Sequence, residues 1–213
     1  MRARSPWPNF DRDGHDDLVV GSDFVDICQT AKGGYATVFY GGVAGVDTTR
    51  SAVFSQDTMG VPGADASYDS FGGALAAGDV NGDRYPDLAV GADFETIGSA
   101  THAGNVWVLR GGASGQTGTG AQSFNQGTSG VPGANESSNM VGDAIHLADH
   151  NKNGRADLSV GAGGENSDDG AVWVLRGSTG GITATGAVSF GGSSVGIRNS
   201  GEDPMCGDAM SGS

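Results

Sequence analysis

The chain has 213 residues, a formal net charge of -14 from 25 acidic against 11 basic residues, and 40 glycines with only 6 prolines. Phosphate and anionic membrane surfaces are bound by clustered Lys and Arg, so this balance excludes nucleic acid and charged lipid as partners. Glycine far above the usual ~7% without a Gly-X-Y period excludes collagen, and no stretch approaches the roughly 18 to 20 apolar residues of a spanning helix, so no membrane insertion is expected.

The acids comprise 21 Asp and 4 Glu, and the aliphatics 19 Val against 7 Leu. Aspartate favours turns, caps and metal loops over helix interiors, and valine fits a pleated sheet. An all-β chain with many tight turns is expected. In chain order, the start through Pro8 is basic but has no apolar stretch of leader type. There follow an acidic loop at 9–17, a strand entered by Asp17-Leu-Val-Val-Gly-Ser22, and the strand within Gly34-Tyr-Ala-Thr-Val-Phe-Tyr-Gly-Gly42. Cys28 lies between these strands and Cys206 far beyond them; neither shows CxxC spacing, so they are either one disulfide or two free thiols.

The same run then returns at an offset of 70. Asp17-Leu-Val-Val-Gly-Ser22 reappears as Asp87-Leu-Ala-Val-Gly-Ala92 and Asp157-Leu-Ser-Val-Gly-Ala162. Phe54 to Asp65 reappears as Phe124 to Asn135. A period this long decides the architecture. Repeat units are set at about 9–78, 79–148 and 149–213, the last incomplete. In the middle unit four strands are read, at Leu88 to Ala92, Asn105 to Arg110, Ala121 to Phe124 and Val141 to Ala148, each bounded by turn residues. Repeated groups of four short antiparallel strands predict β-propeller blades, about three of them, forming part of a larger propeller.

Each unit carries one acidic nonapeptide. The first has Asn9, Asp11, Asp13, His15 and Asp17 at positions 1, 3, 5, 7 and 9. The second has Asp79, Asn81, Asp83, Tyr85 and Asp87 there, and the third Asp149, Asn151, Asn153, Arg155 and Asp157. Oxygen-bearing side chains at positions 1, 3, 5 and 9 suit Ca²⁺, which takes 6 to 8 hard oxygen ligands. Position 7, occupied by His15, Tyr85 or Arg155, is expected to contribute a backbone carbonyl. The loop is not an EF-hand, since position 12 is Val20, Val90 or Val160, within a strand. The alternative is a metal-free turn stabilised by Asx side chains. By carboxylate count the third loop is expected to bind most weakly, having only Asp149 and Asp157.

The unit resembles the FG-GAP repeat, the blade of integrin α-subunit propellers and of many bacterial extracellular proteins. The matching residues are Phe71-Gly-Gly-Ala-Leu-Ala-Ala-Gly-Asp79, the loop to Asp87, and Leu88-Ala-Val-Gly-Ala-Asp93 where the family usually has Gly-Ala-Pro. Val141-Gly142 and Cys206-Gly207 stand in for Phe-Gly in the other copies. The resemblance implies a closed ring, usually of seven blades, with calcium on hairpin loops and ligand recognition on a loop-bearing face. Three blades cannot close, so the chain is expected to be a stretch of a larger propeller, or half of a six-bladed head-to-tail dimer. Open blade edges invite self-association.

No nucleophile elbow, HExxH or P-loop is present. His15, His102, His146 and His150 are read as loop or rim residues, and the acids Glu165, Asp168 and Asp169 as solvated turn charge. Trp107 and Trp173, at equivalent positions, are assigned to core or inter-blade packing, with stacking on sugars as the alternative were they exposed. Asn135-Glu-Ser137 matches a glycosylation triplet, and no RGD-type tripeptide occurs. The expectation is a non-enzymatic, calcium-binding module of an extracellular or cell-surface protein that binds a protein or glycan ligand in adhesion. The alternative is the propeller part of a secreted hydrolase or lyase whose catalytic residues lie elsewhere.

Overall fold

A computed structural model describes residues 8–23, 25–27 and 30–195. Cys28, Cys206 and the Cys206-Gly207 motif fall outside them. The fold is nearly all β. The first sheet, of order β1-β4-β5, holds β1 (Leu18–Ser22), β4 (Tyr35–Gly42) and β5 (Gly45–Phe54). Between β1 and β4 lies a small hairpin of β2 (Val25–Ile27) and β3 (Thr30–Lys32), which no sequence pattern had suggested. The second sheet runs β6 (Ala74–Gly78), β7 (Asp87–Ala92), β8 (Asn105–Arg110) and β9 (Thr117–Phe124). The third runs β10 (Val141–Ala148), β11 (Asp157–Ala162), β12 (Ala171–Ser178) and β13 (Gly181–Gly191), and neighbours in each sheet pair antiparallel.

One assignment changes. The four strands read as a unit do not form one sheet, because Val141–Ala148 pairs with β11 and opens the third sheet. The strand completing the second sheet is Ala74–Gly78, upstream of its acidic loop. Each 70-residue period therefore supplies three strands to one sheet and the first strand to the next. β9 also begins earlier than expected, since Thr117 pairs with Arg110 beyond a bulge.

β7 and β8 are buried on both faces, and their period of two explains how. Leu88, Val90, Trp107 and Leu109 join Phe10, Val38, Phe54 and Phe71 in the layer shared with the first sheet. Ala89, Val106 and Val108 face the other way, into the layer with Ile145, Leu158, Val160 and Trp173. Both tryptophans are packing residues, as expected, at 1% and 3% exposure. Trp107 donates its indole N–H to Pro62 O at 2.7 Å and Trp173 to Pro132 O at 2.9 Å, so each is anchored in the same way.

The sheets approach most closely at glycine. A Cβ on Gly21 would lie 2.0 Å from Gly72 O, and one on Gly91 would lie 2.1 Å from Gly142 O. Neither contact leaves room for any side chain. Gly91→Ala is expected to push the second and third sheets apart and lower stability by about 1–3 kcal/mol or more, measured by denaturant unfolding. An unchanged midpoint would show that the two sheets are free to part there.

Candidate metal centre

The three acidic loops share one backbone course. Positions 4 and 6 are left-handed in each: Arg12 and Gly14 (φ 59 and 96), Gly82 and Arg84 (84 and 76), Lys152 and Gly154 (59 and 85). This accounts for the arginine at position 6 of the second loop, since its glycine stands at position 4 instead. The turn needs positive φ at both places, and glycine relieves one of them.

Successive turns fold the side-chain oxygens back onto the loop's own N–H groups. In the second loop, Asp79 accepts from the N–H groups of Gly82 and Arg84 at 2.6 and 2.7 Å. Asn81 Oδ1 accepts from Asp83 and Asp83 Oδ1 from Tyr85, both at 2.8 Å. Asn81 Nδ2 reaches Asp83 Oδ2 at 2.8 Å, so positions 3 and 5 touch. In the third loop Asp149 accepts from Asn153 and Gly154, and Asn151 Nδ2 meets both oxygens of Asp157 at 3.2 and 3.1 Å, so positions 3 and 9 touch.

Position 9 is set deeper than the rest. Asp17, Asp87 and Asp157 are 3%, 0% and 2% exposed. Asp87 accepts from Val80 N–H at 3.0 Å and from Gly111 N–H at 3.0 Å, tying the loop to the end of β8. Asp17 does the same with Phe10 and Gly41, and Asp157 bonds Gly177. Burial pushes the Asp87 carboxyl up to about 6, against the opposing pull of its two backbone bonds and of Arg110. Asp17 is raised by the same cause.

The donor set fits a hard cation in chemistry, all carboxylate and amide oxygen without sulfur. In the first loop the fit has a direct mark: Asn9 Oδ1 at position 1 is buried and has no partner. Among the described residues, no three His, Cys, Asp or Glu side chains are gathered as a metal site by themselves. Asparagine oxygens and backbone carbonyls are needed to complete any such shell.

Sequence reasoning missed Arg50. From β5 its guanidinium reaches Asp11 at 2.8 Å and Asp13 at 3.4 Å, 39 and 37 residues away in sequence, and lies 5.4 Å over the Tyr40 ring. Two of the first loop's four carboxylates, Asp11 and Asp13, thus already face a cation. Adjacent loops also touch. Arg12 lies 5.4 Å over the Tyr85 ring, and Arg155 Nε donates to Asn81 O at 3.2 Å. With Asp79 and Asp149, these loops border a concavity of about 1210 Å³ lined by Leu75–Gly78 and Leu147. The histidines do not assemble there: His102 stacks on Phe94 at 4.8 Å, and His150 meets Ser159 Oγ at 3.2 Å.

Repeated antiparallel sheets, with the same acidic loop leading into β1, β7 and β11, define propeller-type blades. Two stretches match the model of the FG-GAP repeat, residues 71–109 and 141–175, each running from the first strand of a sheet into the third. Among curated proteins the chain is similar to the phosphatidylinositol-glycan-specific phospholipase D of Rattus norvegicus, 33% identical over 118 residues. The Mus musculus protein of the same name is 32% identical over 118 residues. Each alignment covers 54% of this chain and 14% of the relative, so the likeness concerns a small part of those proteins.

Asp87→Ala leaves two buried N–H groups without an acceptor. A loss of about 1–3 kcal/mol is expected in metal-free buffer, whereas the exposed Asp83→Ala changes little there. Equal losses on chemical unfolding would show that position 9 has no role in the apo loop.

Proposed function

We propose that this stretch is a non-catalytic, calcium-stabilised propeller module of an extracellular protein, and that it binds a protein or glycan partner on its loop-bearing surface. The observation that carries the calcium reading is the common course of the three loops, with side-chain oxygens at positions 3 and 5 folded back onto the loop's own N–H groups and a buried carboxylate at position 9. Asn9, Asp11, Asp13 and Asp17 would hold the first ion, Asp79, Asn81, Asp83 and Asp87 the second, and Asp149, Asn151, Asn153 and Asp157 the third. The backbone carbonyls of His15, Tyr85 and Arg155 would complete the shells. A bound dication would offset the carboxylate charge of each loop and fix the hairpin that joins the inner strand of a sheet to the next.

The relatives favour a second reading, in which the module is the propeller part of a larger secreted hydrolase. Two enzymes of one kind match this chain over 118 residues. The two readings separate on the full-length product, which would hydrolyse a glycosylated phosphatidylinositol only under the second.

Calcium is expected to raise the melting temperature and chelator to lower it, because a ligand held only by the folded state stabilises by about 2.7 kcal/mol at a hundredfold excess over Kd. A midpoint indifferent to both would reject the calcium reading. Calorimetric titration should find the third loop weakest. Arg50→Ala, which frees Asp11 and Asp13, should tighten the first; unaltered affinity there would show that Arg50 does not compete with the ion.

A further inference from the structure

The connection from β5 to β6 carries Gln56 and Asp69, which are 2% and 3% exposed, and the β7–β8 loop carries Glu95. Gln56 Nε2 donates to Glu95 Oε2 at 2.9 Å, Asp69 Oδ2 accepts from Ala66 N–H at 3.0 Å, and the Asp69 and Glu95 carboxyls are near enough to perturb each other. Gln56 Oε1 is buried and without a partner.

Seventy residues on, the chain builds the same joint with different chemistry. Gln126 Nε2 donates to Glu165 Oε2 at 2.8 Å, and Asn139 Nδ2 donates to Gln126 Oε1 at 2.8 Å. There one carboxylate and two amides satisfy one another. Asp69 in place of Asn139 removes an N–H donor and adds a second carboxyl, and the glutamine oxygen it would have served is the one left unpaired. An ionised carboxylate only accepts hydrogen bonds, so Asp69 and Glu95 can offer a donor to Gln56 Oε1 or to each other only if one of them keeps a proton.

We propose that Asp69 and Glu95 hold one proton between them at neutral pH, and that this proton fastens the connection between the first and second sheets, a joint that loosens as pH rises.

The surroundings favour retention of the proton. Burial acts most strongly on both groups, and the Asp69 and Asp65 carboxylates act on Glu95 in the same direction, opposed by the amide of Gln56. Asp65, which accepts from Gly33 N–H at 2.8 Å, is the third charged group facing the pair. Glu95 is pushed up to about 8, from an ordinary value near 4.3 in an unfolded chain. Folding therefore takes up a proton between these values. The stabilisation is fully present below about pH 4.3 and is lost as pH climbs through about 8.

The test is the melting temperature of wild type, Asp69→Asn and Asn139→Asp from pH 5 to pH 9, in excess calcium and again in chelator. Asp69→Asn recreates the Gln126–Asn139–Glu165 arrangement, so its midpoint should rise relative to wild type as pH increases. Asn139→Asp should acquire a new fall over the same range. Glu95→Gln, which keeps a donor without a charge, should flatten the wild-type slope and serves if Asp69→Asn does not fold. Parallel curves for wild type and these variants would overturn the proposal. So would a difference that appears only with calcium, which would assign the pair to a bound cation.

Discussion

The close approach of Gly21 to Gly72 and of Gly91 to Gly142 sets the spacing between successive sheets, and the other contacts between them depend on it. With backbone against backbone at one end, the layer beyond has a fixed depth, filled by Trp107 with Phe71 in one case and by Trp173 with Val141 and Val160 in the other. The indole N–H groups then meet Pro62 and Pro132 on the connections crossing each layer. Other ties repeat the theme: Gln116 N–H donates to Tyr40 Oη at 3.0 Å, and Arg110 reaches Gly180 O at 2.5 Å. A sheet buried on both faces has no tolerance for added volume where the main chains meet, so Gly21 and Gly91 are required by their neighbours rather than by their own conformation.

The acidic loops illustrate how position within a turn sorts identical side chains into different roles. Asp83 is exposed and closes a local turn, whereas Asp87, four residues later, is fully buried and holds the loop onto β8. A carboxylate in the second setting is costly unless its charge is balanced. In the first loop Arg50, delivered from the third strand of its own sheet, pairs with Asp11 and Asp13 and leaves Asp17 to two backbone N–H groups. The third loop instead has asparagine at positions 3 and 5 in place of acid. Three loops of one shape thus differ in how their charge is balanced.

Much of this was legible in the sequence. The repeat, the loop spacing and the alternation of Leu88, Ala89 and Val90 follow from local periodicity, and the packing role of Trp107 and Trp173 followed from their equivalence. The frame of the sheets was not legible, because Val141–Ala148 reads equally well as the last strand of one unit or the first of the next; only pairing with Leu158 and its neighbours decides. Arg50 was hidden because nothing local links it to residues 39 and 37 positions earlier. The substitution of Asp69 for Asn139 was visible on self-comparison, yet its meaning depends on Glu95 arriving from a different loop.

The offset between repeat and sheet bears on how such an array changes length. A segment running from one acidic loop to the next ends with a strand laid into the following sheet, as Ala74–Gly78 and Val141–Ala148 are. A duplication or deletion of one whole period therefore creates no new kind of interior junction, because each copy arrives bearing both halves of the connection it must make. A change of any other length would leave an inner strand out of register with its partner. The architecture is heritable in steps of one sheet, and the covalent overlap that staples neighbouring sheets together is also what makes those steps discrete.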